Sequence, residues 1–217
     1  MPKNQELVEL NVYTTPSTWT RHGAAPTAGP YDRIVGADTG NGLLACRDFD
    51  DVLRTEQSIV VTPMLRDRFH NFFQKVIIPH DAEAPHSILN HSGDYNCHRF
   101  TFAMHGTDTG DTMHALTQAE RYVRLCNVAD RPYPLGVAGV TWLNDLHRGR
   151  MPVHSFIGLG KHKHISLQVI GTGGHVGLRS YEEMDASHNL LWRGADQTGR
   201  PLSLLGKLGQ LARDVRR

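Results

Sequence analysis

Two apolar runs, Val153 to Leu159 and Ile165 to Ile170, flank the tetrapeptide Gly160-Lys161-His162-Lys163. Branched and aromatic side chains on either side of a glycine-led turn predict two strands folded back on each other, so the second half of the chain must carry antiparallel sheet. In such a hairpin positions 164, 166 and 168 share a face, and either Ser166 or Gln168 comes back beside His154 near the start of the first strand.

The rest of the chain gives shorter signals. Leu7 to Tyr13 alternates and predicts an arm or edge strand, followed by a Thr-, Pro-, Gly- and Ala-rich loop ending at Gly29-Pro30. Ile34 to Phe49 is broken by Gly36, Gly40 and Gly42. Asp51 to Gln57 and Thr62 to Ile78 are expected to be helical; in the second, Met64, Leu65, Phe69, Phe72, Phe73 and Val76 recur at three- and four-residue spacing behind a Thr62-Pro63 start. Pro79 to Gly93 reads as a surface loop bearing His80, His86 and His91. Cys97 to Met104 opens a helix after the turn residues Ser92 to Asn96, and Thr117 to Cys126 is a second short helix. Pro132 to Val140 is a connection, and Gly171-Thr172-Gly173-Gly174, which lacks a following Lys-Ser/Thr pair, is a turn rather than a phosphate loop. Ser180 and Glu183 fit a capping box opening a helix through Met184. From Pro201 onward Leu202, Leu205, Leu208, Leu211 and Val215 share one helical face with Arg213, Arg216 and Arg217 near its end, a helix expected to dock on the core.

With 217 residues the chain fits one domain with extensions, and 39% hydrophobic residues suffice for a core. Lys and Arg number 23 against 22 Asp and Glu, a formal charge of +1, so no global field draws nucleic acid or an anionic surface. No stretch approaches the ~18 apolar residues of a membrane span, and Met1 to Glu6 starts no signal peptide, so the expectation is cytosolic synthesis without a classical leader.

Fourteen histidines against three cysteines direct attention to metal. Cys46, Cys97 and Cys126 contain no CxxC pair and are odd in number, which fits neither a disulfide framework nor a zinc ribbon and predicts free thiols in a reducing compartment. His162 and His164 form an HxH pair that a strand would aim to one side, with His154 and His175 near, and this set is the runner-up: a zinc-dependent hydrolase or metal-binding protein. HExxH is absent and carboxylates are scarce around residues 150–180, so His162 and His164 are expected in an exposed basic turn and no cofactor is expected.

Cys97 is the sharper candidate. Gly93-Asp94-Tyr95-Asn96-Cys97-His98 sets a thiol at a helix N-terminus, where oriented N–H groups and the dipole favour a thiolate and supply an oxyanion hole. His154 lies 57 residues on, on the predicted hairpin. Cys46 and Cys126 have no similarly placed histidine and read as incidental thiols.

Three segments carry a resemblance: Asn96-Cys97-His98-Arg99-Phe100-Thr101-Phe102-Ala103; His154-Ser155-Phe156-Ile157-Gly158-Leu159-Gly160; and Gly171 to Gly174 with Leu178 to Met184. Together they resemble the NlpC/P60 and CHAP superfamily of papain-like cysteine peptidases and amidases over roughly residues 90–190. The resemblance implies an α+β fold, a nucleophile helix packed on a small antiparallel sheet, with residues 1–85 an N-terminal extension and 86–217 the catalytic domain. It implies Cys97 as nucleophile, His154 as base and Gln168 as third residue, or Ser166 if the register shifts; Tyr95, Asn96 and His98 become candidates for the substrate cleft. The implied substrate is a peptide amide, most often in peptidoglycan stem peptides. A wall hydrolase without a leader would be phage-encoded or exported as an effector by a non-classical route, with a cognate inhibitor or immunity protein as partner, and with neither nucleic acid nor a membrane span. An inactive papain-like binding module is the remaining alternative.

Overall fold

The computed structural model describes residues 6–18, 30–79, 95–125, 135–145, 147, 149–160, 163–170, 173–180 and 189–191. They form nine strands, β1 (Val8–Thr18), β2 (Pro30–Asp38), β3 (Leu43–Ala45), β4 (Thr55–Val61), β5 (Ala138–Asp145), β6 (Gly149–Gly158), β7 (Lys163–Ile170), β8 (Gly173–Ser180) and β9 (Asn189–Leu191). The helices among them are α1 (Pro63–Phe72), which continues as a π-helical turn over Phe73–Ile77, α2 (Cys97–His105) and α3 (Thr112–Leu125). The class is α+β with an antiparallel sheet, as the hairpin and helical spacings predict.

The sheet is larger than expected and does not stop at residue 85. Its order is β4-β1-β2-β8-β7-β6-β5-β9, with β3 paired to β2. β1, expected as an edge, is an interior strand between β4 and β2. Its alternation explains this: Leu10, Val12 and Thr14 are buried while the residues between them are less so, the pattern of a strand with one face on a core. The helix expected over Asp51 to Gln57 is absent; the segment turns and enters β4, where Ile59 and Val61 point inward and Glu56, Ser58 and Val60 outward. A period of two overrides the weak helical spacing. Ser180, expected to cap a helix, ends β8 opposite Lys163 of β7, and the residues of that helix lie outside the described ones.

Two subsheets meet at a narrow junction. β2 and β8 pair only through Asp32↔Leu178 and Arg33↔Gly177. Polar side chains bind the seam: the Gln57 amide donates to Thr14 Oγ1 and to Asp32, both at 2.8 Å, and accepts from Lys163 Nζ at 2.6 Å, joining β4, β1, β2 and β7.

One face of the sheet holds the core. Ile157, Ile165, Leu167, Val176, Leu178, Val140 and Trp142 from one subsheet, with Leu10, Val12, Ile34, Ile59 and Val61 from the other, pack with Phe69, Phe72, Phe100 and Phe102 of the helices. α1 starts as its sequence dictates: Thr62 Oγ1 accepts the Leu65 N–H at 3.2 Å, and Pro63 occupies the first turn, where no N–H is missed. Leu65, Phe69 and Phe72 then follow one another down its buried face. Phe72 meets Tyr95 and Phe100 edge-on, each with 4.9 Å between ring centroids, which seats α2 against α1.

α2 ends at Gly106, in the left-handed region at φ 89°, and the Arg68 guanidinium from α1 lies across it while donating to Met104 O at 3.1 Å. A Cβ at Gly106 would overlap that guanidinium, whereas one at Gly110, also left-handed at φ 82°, would meet nothing within 4 Å. Both substitutions by alanine carry about 1–2 kcal/mol of left-handed strain. Gly106→Ala is expected to lower the thermal midpoint somewhat more than Gly110→Ala, because the Arg68 guanidinium must shift and give up its bond to Met104 O; equal midpoints for the two variants refute that role.

Candidate active site

The nucleophile candidate sits at the start of α2, as the turn residues predict. Asn96 caps the helix, its side-chain oxygen accepting the Arg99 N–H at 2.9 Å. Tyr95 packs against Phe72 on one side and takes the Arg99 guanidinium over its ring at 4.1 Å. His98 is buried, with Nδ1 2.7 Å from Ser155 Oγ on β6. The three residues expected at a substrate cleft therefore hold Cys97 in place: one caps its helix, one wedges it against α1 and one ties it to the sheet.

β6 and β7 form the predicted hairpin but stay paired for only two residues, Ile157↔Ile165 and Gly158↔His164. The even-numbered amides of β6 face β5, as Gly158 does in donating to Val137 O at 2.8 Å, so the odd-numbered amides face β7. Had the ladder continued, the Ser155 N–H would bond β7. It is instead directed at the Cys97 sulfur, together with the amides of His98 and of Cys97 itself. The N-terminus of α2 thus occupies the notch that opens where the two strands part. This brings Cys97 to the backbone of the residue immediately after His154.

The two candidates approach from different sides of the sheet. Cross-strand partners share a face. Thr141, the partner of His154, lies between the core residues Val140 and Trp142 and so turns away from the helices. His154 follows it, on the face that also carries Phe156, His164 and Ser166, while Ser155 faces α2. A bulge between Thr141 and Trp142 bends β6 just before His154. Gly139, opposite Phe156, leaves room for that ring; a Cβ there would overlap it.

For the third role, the register continued past Ile157 would set Gln168 opposite His154, but the strands have separated by then and Gln168 pairs with His175 of β8. Ser166 is fully buried on the His154 face and lies opposite Gly177. The runner-up metal pair fares differently. His164, expected in an exposed turn, is fully buried within β7, its ring 4.9 Å from that of Phe156; apolar packing on a sheet face has claimed it. His162 and the loop histidines His80, His86 and His91 lie outside the described residues, as do Cys126, the helix expected after Ser180 and the C-terminal tail. Among the described residues no group of three His, Cys, Asp or Glu side chains is placed to hold a metal, and no helix is long and apolar enough to cross a membrane.

Two participants escaped the sequence reading. Ser155 adjoins the candidate base and is the contact through which β6 grips α2. Arg179, buried on β8 opposite His164, is close enough to His154 for its charge to act on the imidazole. Nothing local marks either one, since both depend on strand neighbours distant in sequence.

Burial governs the electrostatics. It pushes the Cys97 thiol up to about 11 against the pull of the three amides. It pushes the His154 imidazole down to about 3, with the positive charges of His98 and Arg179 adding to the effect. His98 falls to about 4 by burial alone. His175, whose Nδ1 lies 3.3 Å from the Tyr31 hydroxyl, falls to about 4, again mainly by burial and further through Arg33, against the opposing pull of Asp48. Thiol and imidazole are both neutral near pH 7.

These imidazoles take up protons at a lower pH folded than their ordinary value of 6.5. The unfolded chain therefore binds more protons in that window, and their contribution to stability is complete above pH 6.5 and lost as pH falls towards 4. The thermal midpoint is expected to drop steadily across this interval, and to drop less in His98→Asn; a slope that the substitution leaves unchanged contradicts the assignment of His98.

No family model, no curated protein and no solved structure matches the chain.

Proposed function

We propose that the protein is a papain-like cysteine hydrolase that cleaves an amide bond, in peptidoglycan stem peptides by preference, with Cys97 as nucleophile and His154 as base. One observation carries the reading: the sulfur at the N-terminus of α2 meets the backbone amide of Ser155, whose chain neighbour is His154. A half-buried thiol aimed at three backbone amides has the donors that a developing oxyanion needs. The His154 imidazole is neutral near pH 7, as a base must be, but at about 3 it is a weak one, and the reading requires a bound substrate to raise it by supplying polar surroundings.

The chemistry begins with a neutral pair. The thiol gives its proton to His154 as sulfur attacks the amide carbonyl, and the carbonyl oxygen takes the negative charge against the amides at the start of α2. Collapse breaks the C–N bond, and the proton on His154 passes to the leaving amine. Water then attacks the thioester, giving its proton to His154; the carboxylic acid departs and the thiol is restored. For this transfer the His154 ring, which lies on the sheet face away from α2, would have to turn into the opening between β6 and β7. The third role falls in this reading to Gln168, or to Ser166 on the His154 face, as orienter of the ring. A cognate inhibitor or immunity protein would cover the same opening.

Cys97→Ala is expected to abolish release of amide cleavage products from purified peptidoglycan, identified by mass, and His154→Ala to lower kcat by at least about a hundredfold. Gln168→Ala costs about tenfold if that residue orients the ring, with Ser166→Ala the smaller loss. A chelator has no effect. Activity that survives Cys97→Ala but disappears with the chelator overturns the reading in favour of the metal alternative; binding of wall fragments with no turnover favours an inactive module.

A further inference from the structure

The hydrogen bond between His98 and Ser155 is the shortest described tie between α2 and the separated end of β6, and it is buried at both ends. Its two residues each adjoin a candidate catalytic residue: His98 follows Cys97 on the helix, and Ser155 follows His154 on the strand. Both also direct their backbone N–H at the Cys97 sulfur. The same two residues therefore join helix to strand through their side chains and hold the sulfur through their main chains. β6 has parted from β7 here but stays paired with β5 at Val140↔Ser155, so the sheet fixes the Ser155 amide, and the tie fixes where the first turn of α2 sits against it.

We propose that His98 and Ser155 form a positioning clip for the nucleophile, in which the imidazole–hydroxyl hydrogen bond keeps the Ser155 amide on the Cys97 sulfur and so favours the thiolate. The inference rests on Cys97 being the reactive thiol but not on the substrate or the reaction. His98 stays neutral near pH 7 because burial opposes its charge, so the clip works as a neutral hydrogen bond and does not require an imidazolium beside the thiol. The ionisable groups that the described residues set around it are Cys97 itself on α2, His154 on β6 and, acting through His154, Arg179 on β8. Ser155 is a positioning residue in this scheme; its hydroxyl is directed at His98 and away from the face that carries His154.

The clip and a merely structural contact predict opposite outcomes. Loosening a buried contact lets water reach the sulfur, which lowers its pKa and speeds alkylation. Losing the amide donor while the sulfur stays buried raises the pKa and slows alkylation. The test is the rate of iodoacetamide alkylation at pH 8, followed by mass on the peptide that carries Cys97, in the full chain and in variants whose circular dichroism and thermal midpoint show them folded. Ser155→Ala and His98→Ala are each expected to slow alkylation about tenfold, the consequence of roughly one unit of thiol pKa. His98→Asn and Ser155→Thr, which keep a donor or acceptor near the original atom, are expected to restore most of the rate. An unchanged or faster rate in the alanine variants overturns the clip. Because alkylation reads the thiol directly, this result is independent of whether peptidoglycan is cleaved: loss of the clip leaves the hydrolase reading standing, and failure to cleave leaves the clip standing. If Ser155→Ala does not fold, Ser155→Gly and His98→Ala give the same reading, and a normal rate in folded His98→Ala alone refutes the proposal.

Discussion

The early end of the ladder between β6 and β7 is the constraint on which the site depends. After Gly158↔His164 and Ile157↔Ile165 the strands separate, and the Ser155 amide that would have continued the ladder needs another partner. A buried N–H without one costs on the order of 1–3 kcal/mol. The α2 N-terminus meets that need with a sulfur, a weak acceptor, and with the His98–Ser155 hydrogen bond beside it. The helix is free to do so because its other contacts fix it independently: Phe100 and Tyr95 against Phe72, Asn96 at its start, and Gly106 beneath Arg68 at its end. Without that notch, Cys97 would be an ordinary half-buried thiol on a helix.

Two effects compete at the sulfur, and burial wins. Three amides favour the thiolate, yet the thiol rises to about 11, because removing a charge from water outweighs a few hydrogen bonds from neutral donors. The same penalty holds His154 near 3, with the positive charges of His98 and Arg179 in support. Both groups are thus neutral at rest, thiol and imidazole rather than thiolate and imidazolium, and in the proposed hydrolase proton transfer would accompany attack. A substrate that completes the hydrogen bonding in the notch as it displaces water would supply the polar surroundings that the free protein lacks.

Short-range signals were legible and long-range ones were not. The hairpin turn, the Thr62-Pro63 start of α1 and the Asn96 cap of α2 are each written in a few consecutive residues, because a cap or a turn satisfies its own backbone groups locally. Asp51 to Gln57 misled because seven residues hold too little periodicity to separate a helix from the strand that Ile59 and Val61 then pull into the core. His164 misled for a related reason: flanking lysines suggest a turn, but a strand hides alternate residues regardless of their neighbours' charge, and Lys163 remains exposed while His164 beside it is fully buried. The exposed-turn expectation failed at that position through packing.

The amino-acid sequence by itself determined the class of the fold, the hairpin carrying His154 and the place of Cys97 in the first turn of a capped helix, since each follows from interactions among residues a few positions apart. The tertiary structure decided that β1 lies inside the sheet, that β2 joins β8 to make one sheet of two halves, and that β6 and β7 part where Cys97 enters. Those outcomes depend on which apolar faces bury one another, a choice made by the whole core at once. Ser155 marks the difference: it reads as one more small residue in a strand until the fold sets it between His98 and the sulfur of Cys97.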